Sequence, residues 1–342
     1  MNRTPASAFR LRSRLRQSGK CLVRYAVVIP GFCASVSFAQ SAADTFPTRT
    51  VTIITGLAAG GSTDLETRRY AQKLSANTGK SFIVENRPGA GGTIGFAFVA
   101  RATPDGHTVL VSSPSFPIAP LMYKDLPYDT EKGFAPITVM SKRSSVLMVH
   151  PSLPVRTVQE YVAYAKANPG AVNFGTSGIG GITHLSAQWF HDEANVKATL
   201  VHFKSGGPLL NDVLSGRVHM GMFNLASVIA HVKAGKLRML GITGAERNKM
   251  VPDIPTIAEQ GLPNYDYTFW VGFSTTAGTP PAIVNKLNEE LVKVARSPEN
   301  VALLAKDDNQ AIGSTPEAFQ RLLSTEIVRW RKVVQQSNIT ME

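Results

Sequence analysis

From Thr50 onward the chain alternates between two hydrophobic periods. The β-branched run Val51-Thr52-Ile53-Ile54-Thr55 predicts a strand over 50–56. Leu65, Ala71 and Leu74 follow at helical spacing, so 63–78 reads as a helix closed at Gly79. Residues 82–86 predict a second strand, Thr93 to about Ala102 a small apolar helix, and Thr108 to Ser112 a third strand. Strand–helix–strand units with short loops dictate a parallel sheet covered by helices and joined by right-handed crossovers. All three strand ends then fall on one edge, where ligands of open α/β sheets bind.

Residues 115–145 are less regular and carry several prolines, and no element is assigned there. Val146 to Val149 is a short strand, and the pattern then repeats. Helix 157–168 carries Thr157 and Glu160 at capping-box spacing. Strands 172–176, 198–203, 218–223 and 237–243 alternate with helices 182–194, 208–215 and 227–234. Residues 267–275 return to strand, and two amphipathic helices end the chain, with Ile283, Leu287, Leu291 and Val294 on one and Phe319, Leu323, Ile327 and Trp330 on the other. The expected fold class is therefore α/β with two domains, each an open, mostly parallel sheet flanked by helices. Residues 46–145 with 268–342 form one, 146–267 the other, and two crossings leave a cleft between them.

Several strand ends lead into glycine- and serine-rich turns. Gly60-Gly61-Ser62-Thr63-Asp64 opens the first helix, with Ser62 or Thr63 as its cap and Thr63 and Glu66 at capping-box spacing. Ser177-Gly178-Ile179-Gly180-Gly181 precedes the helix that holds His184, and Phe203-Lys204-Ser205-Gly206-Gly207 precedes the next. Asn224 ends a further strand. The first amides of a helix have no intrahelical acceptor, and the helix dipole favours an anion beside them. Taken singly, each turn is a plain βα connection: Asp64 supports a helix start, His184 is a hydrogen-bonded structural residue, Lys204 is solvated and Asn224 is a turn former. Phe116 and Trp270 read as core, as do Trp189 and Phe190. Convergence on one cleft is what turns these loops into a candidate anion site.

Composition changes the picture at the N-terminus. The net charge is +12, but seven of the basic residues and no acid lie in the first 39 residues, which leaves +5 for the rest. That concentration removes the argument for a nucleic-acid partner. The basic stretch runs into a largely apolar segment, Tyr25 to Ala39, ending Ser37-Phe38-Ala39, which is the pattern of a cleaved secretory signal over 1–39. Both cysteines, Cys21 and Cys33, fall inside it, so the mature chain has no thiol to pair or to bind metal.

The chemistry of an enzyme is missing from the sequence. Gly79-Lys80-Ser81 lacks the earlier glycine of a phosphate loop, and Ile94 stands where a dinucleotide fingerprint needs glycine. No serine sits in a nucleophile elbow, and the seven histidines show no metal spacing. No cofactor and no metal is expected. By themselves the residues leave a secreted α/β chain with a candidate anion site, which a carboxylate or a phosphate would both fit.

The motifs Gly60-Gly61-Ser62-Thr63-Asp64, Val84-Glu85-Asn86-Arg87-Pro88-Gly89-Ala90-Gly91-Gly92, Pro104-Asp105-Gly106, Leu126-Pro127-Tyr128-Asp129, Gly235-Lys236-Leu237-Arg238 and Pro252-Asp253-Ile254-Pro255-Thr256 resemble the Bug family of extracytoplasmic solute receptors. The likeness runs from about Phe46 to the C-terminus. It implies a Venus-flytrap periplasmic binding protein of the tripartite tricarboxylate transporter type, expected as a monomer, delivering a carboxylated solute to a membrane transporter; a receptor that reports to a sensor, and a secreted α/β hydrolase, are the alternatives. It places ligand contacts on Gly60 to Asp64, on Ser177 to His184 and on Phe203 to Gly207. Three positions depart from the family pattern: Ala58 and Ala59 replace prolines, Phe203 replaces a tyrosine, and Asn224 replaces an aspartate.

Overall fold

The computed structural model describes residues 44–337. The export segment expected over 1–39 lies outside them. In chain order the first elements are β1 (Val51–Thr55), α1 (Ser62–Thr78), β2 (Phe82–Asn86), α2 (Thr93–Ala100), β3 (Thr108–Ser112), α3 (Ser115–Met122) and β4 (Phe134–Ser144). Next come β5 (Val146–Val149), α4 (Val158–Ala167), β6 (Asn173–Ser177), α5 (Ile182–Ala194), β7 (Thr199–Phe203), α6 (Gly206–Leu214), β8 (Met220–Phe223), α7 (Leu225–Lys233) and β9 (Arg238–Ile242). The chain closes with β10 (Thr268–Thr276), α8 (Pro281–Ala295), α9 (Pro298–Lys306), β11 (Gln310–Ala311) and α10 (Pro316–Ser337).

These strands make a six-stranded sheet, β11-β4-β10-β3-β1-β2, and a five-stranded sheet, β7-β6-β8-β5-β9. The first contains two reversed strands, β10 and the two-residue edge strand β11, and the second contains one, β5. β10 runs antiparallel to both β3 and β4, and β5 antiparallel to both β8 and β9. The reversal has a simple cause. β4 leaves the first sheet at the edge where β1 and β3 end, and one residue later β5 begins beside the end of β8, with Val146 opposite Phe223. A chain that enters a sheet at its C-terminal edge must run backward through it. β10 does the same on return, with Thr268 opposite Ser144. The C-terminal edges of the two sheets, with all their βα loops, therefore face each other.

Two expectations are corrected. Residues 115–145 hold α3 and the eleven-residue β4. Pro136, Lys142 and Arg143 hid the strand, because β4 lies between two neighbours and its pattern is set by the helices above and below, not by simple alternation. The described residues also close with three helices, since α9 follows α8 after Ser297, whose hydroxyl caps it by accepting from Asn300 N–H.

Both sheets are buried on two faces. In the first, Val51, Ile53, Val271 and Phe273 pack with Tyr70, Leu74 and Leu287 of α1 and α8, while Ile54 and Trp270 pack with Phe96, Phe116 and Phe319 of α2, α3 and α10. The alternation along β1 and β10 is the period-two rule of strands. In the second, Leu147 and Val149 face Tyr161 and Phe190, and Val146 and Met148 face Leu209, Val213 and Val228. The helix α10 spans both units. Its Phe319 and Leu323 lie on the first sheet, whereas Trp330 meets Trp189 of α5 at 5.8 Å between ring centroids.

Candidate functional site

The loop from β1 to α1 is built by close backbone approach. A Cβ on Gly56 would lie 2.7 Å from Gly92 Cα, so only glycine lets the second glycine turn seat beneath the first. Gly60 has φ +83°, where other residues are strained. The helix begins at Ser62 with Gly61 in the cap position and no side-chain cap. The capping role expected of Ser62 or Thr63 is absent because Asp64 takes over the loop: its Oδ2 accepts Gly60 N–H at 2.9 Å and Arg68 Nε at 3.0 Å, and its Oδ1 accepts Asn86 Nδ2 at 2.8 Å. Asp64 is 2% exposed. Burial opposes its charge, but the bonds from Arg68, Gly60 and Asn86 outweigh that and hold its carboxyl below the usual range. Asp64 is thus a brace turned into the protein, not a group facing a solute. Among the described residues the amides of Ser62 and Thr63 have no acceptor.

The second unit supplies the opposing loops. Thr183 staples the turn after β6: its Oγ1 accepts Ser177 N–H at 3.0 Å, donates to Ser177 O at 2.8 Å and lies 3.1 Å from Ser177 Oγ. Gly178 N–H bonds Phe203 O at 2.7 Å, which ties this turn to the next. Gly180 N–H donates to Nδ1 of the buried His184 at 3.0 Å, so the remaining imidazole proton sits on Nε2. Burial, with the His202 ring 4.5 Å away, pushes His184 down to about 4, so it is neutral at physiological pH. The amides of Ile179, Gly181, Ile182 and Thr183 find no acceptor among the described residues. Ile179 stands 63% exposed at the tip of the turn.

Ser205 occupies the cap position of α6 without a side-chain bond, and Gly206 and Gly207 are exposed with amides unbonded among the described residues. Lys204 is exposed beside them. Phe203 is half-buried against the cluster of Leu209, Phe223 and Val228. Asn224 caps α7, its Oδ1 accepting Ala226 N–H at 3.2 Å. Phe116 and Trp270 are core residues. Sequence reasoning gave no bracing role to Asn86 or Arg68, and Thr183 entered it only within the span Ser177 to His184 that the resemblance implies. Arg68 stands four residues after Asp64, the helical ion-pair spacing, and was the one signal available.

A single residue knots the two crossings. Thr243 Oγ1 accepts Ser145 N–H at 2.8 Å and donates to Tyr267 O at 2.8 Å, while its backbone bonds Ser145 O and Tyr267 N–H. On either side of this knot the two rows of loops face each other, and no hydrogen bond among the described residues joins Ala58–Asp64 to 177–184, 203–207 or Asn224. These loops, at the facing edges of the two sheets, carry unbonded amides and small hydroxyls. A cavity of about 740 Å³ near Asp192, Lys197 and Lys332 shares no residue with these loops. Among the described residues no group of three His, Cys, Asp or Glu could hold a metal ion, and no helix is long and apolar enough to cross a membrane.

Two α/β units with facing loop edges, a double crossing and amide-lined jaws define the solute-binding class of receptor folds. Residues 67–339 match the family described as "Tripartite tricarboxylate transporter family receptor", and the chain belongs to it. It is 31% identical to Protein BugT of Bordetella pertussis over 324 residues, covering 94% of this chain and 99% of that one. Rpa4515 of R. palustris, solved with adipate, is 34% identical with a TM-score of 0.73, covering 86% of this chain and all of that one (100%). MatC of Rhodopseudomonas palustris, solved with malate, is 29% identical with a TM-score of 0.69, covering 84% and 100%.

Proposed function

We propose that this chain captures a small carboxylate between its two rows of loops and presents it to a membrane transporter, without turning it over. The observation that carries this reading is the reversal of β5 and β10, which turns unspent helix-start amides of both units toward one cleft. Each such amide contributes roughly 0.3–1 kcal/mol toward a nearby anion, and a hydrogen bond to a charged group about 1.5–3 kcal/mol. A handful of them reaches the ~8 kcal/mol of a micromolar site.

In this reading Gly61, Ser62 and Thr63 hold one end of the solute. Ile179 to Thr183 and Ser205 to Gly207 hold the other, with Lys204 adding charge at the rim. Phe203 and Ile179 offer apolar surface to the body of the ligand. Asp64 and His184 set loop geometry, and Asn224 keeps the second jaw free of the negative charge an aspartate would bring. The moving units are 46–145 with 268–342, and 146–267, in a monomer exported to the periplasm by residues 1–39. The adipate held by Rpa4515 and the malate held by MatC support a dicarboxylic acid as the first probe.

Thermal melting with adipate, malate and their neutral diamides tests this. At 100 times its Kd the acid adds about 2.7 kcal/mol of stability, and the diamide adds none. Equal response to acid and diamide, or to neither, contradicts the reading.

A further inference from the structure

The helix α2 is apolar on the side that faces away from its sheet. Its sequence, Thr-Ile-Gly-Phe-Ala-Phe-Val-Ala, has one polar residue, yet Ile94 is 53% exposed and Phe98 39%. They are four residues apart, so they form one outward stripe. A helix apolar all round is normally buried. Beside the stripe runs a groove of about 510 Å³, walled by Ala97 and Pro127 and rimmed by Arg87 and Arg101, with no carboxylate among its lining residues. The Arg87 guanidinium lies 3.7 Å from the Phe98 ring centroid and bonds Glu85. Arg101 is exposed and unpaired among the described residues.

The groove is wired to the first jaw. Arg87 N–H bonds Thr55 O at 2.8 Å, and Asn86 just before it holds Leu57 O and Asp64 Oδ1. A Cβ on Gly95 would lie 3.1 Å from Gly56 Cα, so α2 rests directly on the loop that starts the jaw. Resting on the receptor reading above, we propose that this groove docks a segment of the transporter's membrane protein that has an apolar face and an Asp or Glu beside it. The apolar stripe supplies contact area, and the open guanidinium fork of Arg101 selects a carboxylate by paired hydrogen bonds. One guanidinium, Arg87, is held on the Phe98 ring and by Glu85, and the unpaired Arg101 stands beside it, which suits a defined partner carboxylate better than a diffuse lipid surface.

The test places the photoreactive amino acid p-benzoylphenylalanine at Ile94 of the full-length exported protein, irradiates the cells that produce it, and maps adducts by mass spectrometry. The expected adduct is with the transporter's membrane protein and no other, at a segment containing Asp or Glu, and Arg101→Glu lowers its yield at least tenfold while melting temperature is unchanged. An adduct with a second copy of this chain, with lipid, with a segment lacking a carboxylate, or no adduct, overturns the proposal. So does a yield indifferent to Arg101→Glu. Calorimetry with adipate and malate on the same protein keeps the two readings apart. An adduct without carboxylate binding removes the solute reading and keeps the groove, and carboxylate binding without the adduct does the reverse.

Discussion

Asp64 Oδ2 accepts the N–H of Gly60, four residues earlier, at 2.9 Å, and so fixes the loop whose next amides are left open to the cleft. Replacing Asp64 by alanine takes an acceptor from Gly60 N–H, Arg68 Nε and Asn86 Nδ2, while Asn86 keeps Leu57 O and Arg68 keeps Asn86 Oδ1. The expected cost is ~1–3 kcal/mol in urea unfolding, with solute affinity down at least tenfold. Because its carboxyl is held below the unfolded value of 3.8, the stability it brings is fully present above that pH and is lost as pH falls through the lower folded value.

Thr243→Val keeps the shape of the side chain and removes the hydroxyl between Ser145 and Tyr267. Thr243 is completely buried, so one donor and one acceptor lose their partner. Unfolding stability should drop by ~1–3 kcal/mol. The hinge should also loosen, read as a larger radius of gyration of the free protein in small-angle scattering and a smaller one only after solute is added.

His191 gives a pH signature of the second core. Its Nδ1 faces Ala187 O at 2.7 Å and must carry the proton, so Nε2 accepts from Tyr161 hydroxyl at 2.7 Å. Burial pushes it from 6.5 down to about 4, against the pull of the Ala187 carbonyl. Between those values the unfolded chain binds the proton and the folded one does not, so stability is full above about pH 6.5 and falls as pH drops toward 4. His191 alone contributes roughly 3 kcal/mol to that fall. His191→Gln should flatten the pH dependence of the melting temperature; a variant as pH-sensitive as the parent contradicts the assignment.

Ser177→Trp fills the second jaw at a half-buried position whose local bonds run mainly through Thr183 and the backbone. Its melting temperature without solute should stay within a few degrees of the parent, and carboxylate binding should vanish. Asn224→Asp retains a side-chain oxygen for Ala226 N–H but adds a negative charge to the jaw. Affinity for a dicarboxylate should fall several-fold, more at low salt than at high salt. An unchanged affinity in both variants moves the site elsewhere.

The sequence made the loops legible because each is a short, glycine-marked step between a strand and a helix. It revealed α5, α6 and α7 nearly to their ends, for their apolar spacing is clean. It hid β4, since Pro136 and the Lys142-Arg143 pair break the pattern of a strand whose environment is supplied by distant residues. It also hid the inward turn of Asp64, because Asn86, which holds it, is 22 residues away. Capping looked local at Ser62 and Thr63, but a buried carboxylate with three donors outcompetes a hydroxyl. What pattern reading recovers is the row of amides; what it misses are the side chains that aim them.

The most direct test is an amide ¹⁵N–¹H spectrum of residues 40–342 titrated with adipate and with malate. The expected result is saturable shifts, with at least one of the two acids, at Ser62 and Thr63 and, with the same Kd, at Ile182, Thr183, Gly206 and Gly207. Shifts in one row only, shifts confined to the cavity around Lys197 and Lys332, or none with either acid, would contradict a carboxylate held between two facing rows of backbone amides.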